Sequence, residues 1–223
     1  DAIRARQQAE RDGLAEVAHE LAAPLTVVAG QLRQLASERA GDPRVRAARD
    51  AADELLHTSQ DLLTLARGEL ERAPEVSRVD LADVARSVVD AYPGVAWLDG
   101  DGDARVFAQA DRLRQVVRNL VRNAVQAAGA ERVRVRVAGG RDEVRLSVAD
   151  DGPGIPPDVL AHVFERFVSG RPGGVGVGLA VAKRIVDAFD GRIEVRSVAG
   201  QGTAFEVVLP GWAAQVEDVA GDG

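Results

Sequence analysis

Residues 148–156 read Val148-Ala149-Asp150-Asp151-Gly152-Pro153-Gly154-Ile155-Pro156, a strand-like run that ends on two carboxylates and then breaks into glycines and prolines. Period-two alternation over 143–149 predicts a strand feeding this loop, which spans 150–157. A second alternating run at 132–138 lies just before it, and Ala138-Gly139-Gly140-Arg141 between the two predicts an antiparallel hairpin. Further upstream the patterning predicts helices at 81–91 and 110–127, with short strands near 95–98 and 104–108. Downstream it predicts a short helix to Phe167, a glycine-rich loop at 168–178, a helix at 179–189 and strands near 192–197 and 203–209. Residues 80–210 are therefore expected to form an α/β sandwich with largely antiparallel pairing.

The first 71 residues follow another rule. Leu14, Ala18, Leu21, Leu25, Val28, Leu32 and Leu35 alternate at spacings of four and three, the seam of a coiled coil or helix bundle. Gly41-Asp42-Pro43 ends that helix. A second one follows, with Val45, Ala48, Ala52, Leu55, Leu62 and Ala66 on one face and Leu56 and Leu63 widening it. Two such helices make an antiparallel hairpin whose apolar stripe one hairpin cannot cover, so two copies closing a four-helix bundle, a homodimer, are expected. Arg72-Ala73-Pro74-Glu75 places a linker at 72–79, and the acidic, glycine-rich stretch 211–223 is expected to be a disordered tail. The fold class is α+β: a helical hairpin followed by the sandwich.

Composition narrows the function classes. With 223 residues and a net charge of −7, the chain does not concentrate the Lys and Arg that nucleic-acid binding needs. It has no cysteine, which removes disulfides and thiolate metal sites. No run approaches the roughly 20 apolar residues of a membrane span. The chain does not start with Met and opens inside a helical pattern, so it reads as a fragment cut from a longer protein.

Chemistry-bearing residues recur at informative spacings. His19 sits one residue past the seam position Ala18, which turns its imidazole to the flank of the bundle. A neutral imidazole nitrogen is a good phosphoryl acceptor near neutral pH, and adjacent Glu20 can take up the released proton. Pro24 removes the hydrogen bond to the carbonyl of Glu20 and lets the helix bend beside them. Asn119 and Asn123 are four apart on one helical face, where their amide oxygens can approach a common Mg²⁺ while Leu120 and Val121 face the core. Asp150, at a strand end, can accept from the exocyclic amine of adenine, and Gly152 and Gly154 let backbone pass close to the base. Gly174-Val175-Gly176-Val177-Gly178-Leu179 leads into a helix, offering free N–H groups and a positive dipole end to phosphates. Each motif alone has a bland alternative: an exposed histidine, a decorated helix, a turn. His57 and His162 carry no metal-site spacing, and Tyr92, Trp97 and Trp212 read as packing aromatics.

Together these stretches resemble sensor histidine kinases, within the GHKL (Bergerat) superfamily of histidine kinases, gyrase and Hsp90. Ala18-His19-Glu20-Leu21-Ala22-Ala23-Pro24-Leu25-Thr26 looks like the H-box, the helix with Asn119 and Asn123 like the N-box, and Asp150 to Gly154 like the G1 box. Phe164-Glu165-Arg166-Phe167 resembles the F box, Gly174 to Leu179 the G2 box, and Gly200-Gln201-Gly202-Thr203-Ala204-Phe205 the last glycine box, with Thr203 near the adenine. The resemblance implies ATP and Mg²⁺, with Asn123 as metal residue and Asn119 as a second candidate. It implies autophosphorylation of His19 and transfer to an Asp of a response regulator, by a cytoplasmic fragment that would meet the bacterial cell membrane only through the missing N-terminal sensor region of its anchored parent protein. Two other readings compete: an ATPase using water, and a non-catalytic nucleotide-binding scaffold. Gyrase-like relatives carry a general-base Glu where Asn119 stands, and an amide cannot deprotonate water, which favours the kinase. Three positions depart from the family: a short lid after Val168 with Arg171 as its basic residue, Gln126 where lysine is frequent, and Ala23 where Thr or Asn is frequent.

Overall fold

The computed structural model describes residues 21–39, 41–66, 76–98, 100–170 and 175–213. The chain divides into two compact units, Asp1–Arg72 and Ala73–Gly223.

In the first unit, α1 is helical over 21–38 and α2 runs Pro43–Ala66. The turn between them is set by chemistry: the Asp42 carboxylate accepts from the Arg44 N–H at 2.9 Å, and Pro43 opens α2 where a missing N–H costs nothing. Ala29, Ala52 and Leu56 form the buried seam, with Leu25 and Leu32 packed against it. An Arg33–Asp53 ion pair at 2.6 Å spans the two helices, and they run antiparallel. Leu21, Val28 and Leu55, expected in the seam, are 49%, 45% and 56% exposed in the single chain. Ala48, another expected seam position, is exposed too, so the apolar stripe is wider than one hairpin buries.

In the second unit, β1 (Ser77–Asp80), α3 (Leu81–Val89), β2 (Ala96–Leu98), β3 (Arg105–Ala108) and α4 (Ala110–Ala128) come first. A 3₁₀ turn (Ala130–Arg132) leads to β4 (Val133–Ala138) and β5 (Glu143–Asp150); α5 (Pro157–Leu160), α6 (Gly178–Ala188), β6 (Arg192–Val198) and β7 (Gly202–Pro210) follow. The main sheet has the order β2-β4-β5-β7-β6, antiparallel except for β2 beside β4. Valines 133, 135 and 137 of β4 are buried while Arg134 and Arg136 are exposed, as one-sided burial requires. Helices α4 and α6 cover the inner face, α4 through Leu113, Val116, Val117, Leu120 and Val121.

Two expectations are corrected. Residues 77–79, expected within the linker, belong to strand β1, which pairs antiparallel with β3, Ser77 opposite Ala108 and Asp80 opposite Arg105. Four residues with a single apolar side chain carry too weak an alternation to read as a strand, so only the partner reveals it. Trp212, expected in the tail, is ordered: its indole N–H donates to the Asp103 carboxylate at 2.8 Å. The guanidinium groups of Arg105 and Arg78 lie 4.8 and 5.6 Å from its ring centre. Asp103 also pairs with Arg105, and the two hydrogen bonds hold its carboxyl far below the usual range. Trp97 likewise lies under the Arg86 guanidinium, at 4.5 Å.

Candidate functional site

Alternation along β5 puts Val144, Leu146, Val148 and Asp150 on one face, and that face is inner. Asp150 is only 5% exposed, opposite Thr203 of β7. The Gly152 N–H donates to its Oδ1 at 2.8 Å. Burial pushes the Asp150 carboxyl above the ordinary aspartate range, opposed by the backbone N–H groups of Gly152 and Thr203. Its neighbour Asp151 turns outward into a two-pronged pair with Arg134, at 2.6 and 2.7 Å, which lowers its carboxyl. The two adjacent carboxylates are thus pushed in opposite directions, one kept as a buried acceptor and one spent on the surface.

The loop after Asp150 is pinned from below. Gly154 adopts φ 75°, and a side chain there would stand 2.4 Å from the Val198 carbonyl oxygen, so this close approach needs glycine. Ile155 N–H donates to Ser197 Oγ at 2.8 Å, and the Ser197 and Thr203 hydroxyls lie 3.0 Å apart. Gly200 N–H donates to the Pro153 carbonyl at 2.8 Å. Ser197 was not among the expected site residues. Its signal was available only through register, since it faces Thr203 across β6 and β7.

On α4, Asn119 is 3% exposed and its Nδ2 donates to the carbonyl of Gly178, the first residue of α6, at 2.9 Å. This bond spends its amide nitrogen on joining two helices, a role that spacing did not suggest. Asn123, one turn on, is half-buried. Helix α6 starts with Val177 as cap residue, without a side-chain cap bond and with no acidic residue in its first turn. Leu179 is half-buried there, and Gly176 accepts a 2.9 Å bond from the Phe167 N–H, closing the base of the intervening loop. Phe167 holds φ 65° with its ring 59% exposed, while Phe164 packs edge-on against Phe205, centroids 6.3 Å apart.

The structure therefore places Asn119 and Asn123 on α4, Asp150 at the end of β5, Gly152 and Gly154 in the loop after it, Gly176 just before α6, Gly178 and Leu179 at its start, and Thr203 on β7. These neighbouring elements pack together, α4 against α6 and β5 against β7. His19, Glu20, Arg171 and Gly174 lie outside the described residues. His162 pairs with Glu165 at 2.7 Å on the surface. No group of three or more His, Asp or Glu able to hold a metal occurs among the described residues, and no described helix is long and apolar enough to cross a membrane.

Known proteins show similarities to both units of the chain. The family described as "Histidine kinase-, DNA gyrase B-, and HSP90-like ATPase" matches residues 108–212, from β3 through the site to Trp212. Over 92% of its length the chain is 38% identical to the sensor histidine kinase AruS of Pseudomonas aeruginosa. Over most of its length the chain is thus similar to sensor histidine kinases. Over 92% of its length the chain is also 33% identical to the sensory histidine kinase/phosphatase NtrB of Salmonella typhimurium. It spans 23% of AruS and 64% of NtrB, so both relatives are longer proteins. Among solved structures, full-length ShkA in complex with AMPPNP matches 89% of this chain and 45% of ShkA, with 32% identity and a TM-score of 0.64. The catalytic domain of histidine kinase ThkA matches 63% of the chain and 98% of its own, with 26% identity and a TM-score of 0.56.

Proposed function

We propose that this chain is the catalytic core of a two-component sensor kinase that transfers the γ-phosphoryl group of ATP to His19 and then to an aspartate of a response regulator. The observation that carries the nucleotide half is Asp150: a buried carboxylate at the end of a strand packed against α4, its loop pinned by Ser197, while Asn119 of α4 holds the uncapped start of α6. ShkA, similar in fold and sequence, binds AMPPNP, which supports ATP as the ligand.

In this reading Asp150 accepts from the adenine amine, the first-turn N–H groups of α6 face the phosphates, and Asn123 would hold Mg²⁺ through its amide oxygen. The fit rests on donor chemistry: a hard divalent cation takes amide and phosphate oxygens. Bound there, it would neutralise charge developing on the transferred group. A His19 ring nitrogen forms the new N–P bond as the bond from the γ-phosphorus to the bridging oxygen breaks, releasing ADP. Glu20 accepts the imidazole proton. Asn119, with its amide nitrogen donating to Gly178, offers no base for water, which disfavours the ATPase reading.

Exposed Leu21, Val28 and Leu55 support a homodimer closing a four-helix bundle through residues 10–70. The parent protein would carry its sensor N-terminal to this core and sit in the bacterial membrane. The deciding experiment is incubation with γ-labelled ATP and Mg²⁺. Label that is acid-labile, base-stable and lost in His19→Gln supports the kinase, whereas label surviving that substitution, or release of phosphate with no labelled protein, overturns it.

A further inference from the structure

A polyphosphate brings several negative charges into a site, and this chain carries Gln126 where relatives often carry lysine. The position of another cation stands out. On α4, at about 100° per residue, Arg122 lies about 60° to one side of Asn119 and Asn123 about 40° to the other, so all three share one strip of the helix. The Arg122 side chain extends toward α6: its Nη2 lies 3.2 Å from where a Cβ on Gly178 would stand, beside Asn119, whose amide carbon and nitrogen are 3.5 and 3.6 Å from that point. Glycine at 178 is what lets the guanidinium come so close. Arg122 thus ends against the first residue of an eleven-residue helix whose start has neither a side-chain cap bond nor a carboxylate in its first turn.

We propose that Arg122 is a specificity-determining residue for this site, engaging the phosphate oxygens of a nucleoside di- or triphosphate and separating such ligands from the bare nucleoside. The inference rests on the nucleotide reading given above. The chemistry suits the position. A guanidinium presents five N–H donors in a planar fork, enough to serve protein oxygens along one edge and a phosphate along another. Its charge adds to the positive end of the α6 dipole, and charge-assisted bonds to phosphate are the strong class of hydrogen bond. It would take over the charge that Gln126 does not supply, from a point one turn earlier on the same helix.

The test is calorimetric titration of the full chain with ADP and, separately, adenosine, for the parent, Arg122→Gln, Arg122→Lys and Asp150→Asn. Loss of one charge-assisted contact predicts roughly ten-fold weaker ADP binding in Arg122→Gln, with adenosine binding unchanged. Arg122→Lys should recover part of the loss, and the salt dependence of ADP binding should be shallower in Arg122→Gln than in the parent. ADP affinity within about two-fold of the parent in Arg122→Gln overturns the inference while leaving the nucleotide reading intact. So does an equal loss for adenosine, which would mark Arg122 as packing between α4 and α6. If the parent binds neither ligand, or Asp150→Asn binds both unchanged, the nucleotide reading itself falls and this inference with it.

Discussion

Asn119 Nδ2 donates to the Gly178 carbonyl across 2.9 Å, so the middle of α4 holds the first residue of α6. The bond is partly buried and joins the two helices that carry the proposed metal residue and the proposed phosphate amides. Position 119 thus controls the geometry of the site through the backbone of Gly178.

Asn119→Asp is expected to damage both folding and binding. It replaces an N–H donor by a carboxylate oxygen facing a carbonyl oxygen, at a position 3% exposed. An unsatisfied buried group costs about 1–3 kcal/mol, and a charged one more. The measurement is thermal unfolding together with ATP titration. A melting temperature equal to that of the parent, with ATP binding retained, would show that the helix-to-helix bond carries no weight.

Much of the second unit was legible because its strands bury one face: the valines of β4 and β5 alternate with arginines and polar residues, and the hairpin between them follows from Gly139 and Gly140. Asp150, Gly152 and Gly154 were legible for the same reason, being the end of that alternation. Three things were not. The short strand β1 exists through its pairing with β3, so no local pattern announces it. Ser197 acts on the Asp150 loop from 42 residues beyond Ile155, a relationship that only sheet register creates. Trp212 is placed by an Asp103 carboxylate 109 residues earlier and by two arginines, contacts a composition-based tail assignment cannot foresee. In the first unit, spacing marked the seam but not which part of it one chain buries: Leu25 and Leu32 pack inward while Leu21, Val28 and Leu55 stay exposed.

The pH dependence of nucleotide binding should report on Asp150. Only its ionised form is a full acceptor for the adenine amine. Burial raises its carboxyl above the ordinary value of about 3.9, so the protonated fraction, and with it the loss of affinity, grows at a higher pH than a surface aspartate would give. Asp150→Asn removes the titrating group. The ratio of ADP affinities, parent over variant, should therefore be about ten-fold or more at neutral pH and shrink toward one on acidification. A ratio independent of pH would remove Asp150 from adenine recognition.

Leu21→Glu combined with Leu55→Glu should yield monomers. Both side chains are about half exposed in the single chain, and burying such a stripe in a partner stabilises at roughly 25 cal/mol per Å² of apolar surface. Two carboxylates placed there would have to be desolvated to associate. Sedimentation at tens of micromolar, well above the dissociation constants of typical stable interfaces, separates the outcomes. A monomeric parent at that concentration would refute the bundle.

The sensory relative NtrB is named a kinase and a phosphatase, and this chain should perform the second task poorly. Many relatives carry Thr or Asn four residues after the phosphorylated histidine, one turn along the same face, where the side chain can orient a water attacking the regulator's phosphoryl group. Here that residue is Ala23, exposed on α1, and its methyl can neither donate nor accept. Thr26, three residues on and only about 60° around the helix from Ala23, does not replace it because its hydroxyl donates back to the Ala22 carbonyl at 2.7 Å. Kinase chemistry needs His19, Glu20 and the nucleotide site but not position 23, so autophosphorylation and transfer should persist in the parent while regulator dephosphorylation is slow. The measurement is the decay of purified phospho-regulator alone, with the parent and with Ala23→Thr. Faster decay with the variant is expected; equal acceleration by both would show that water is positioned from somewhere other than residue 23.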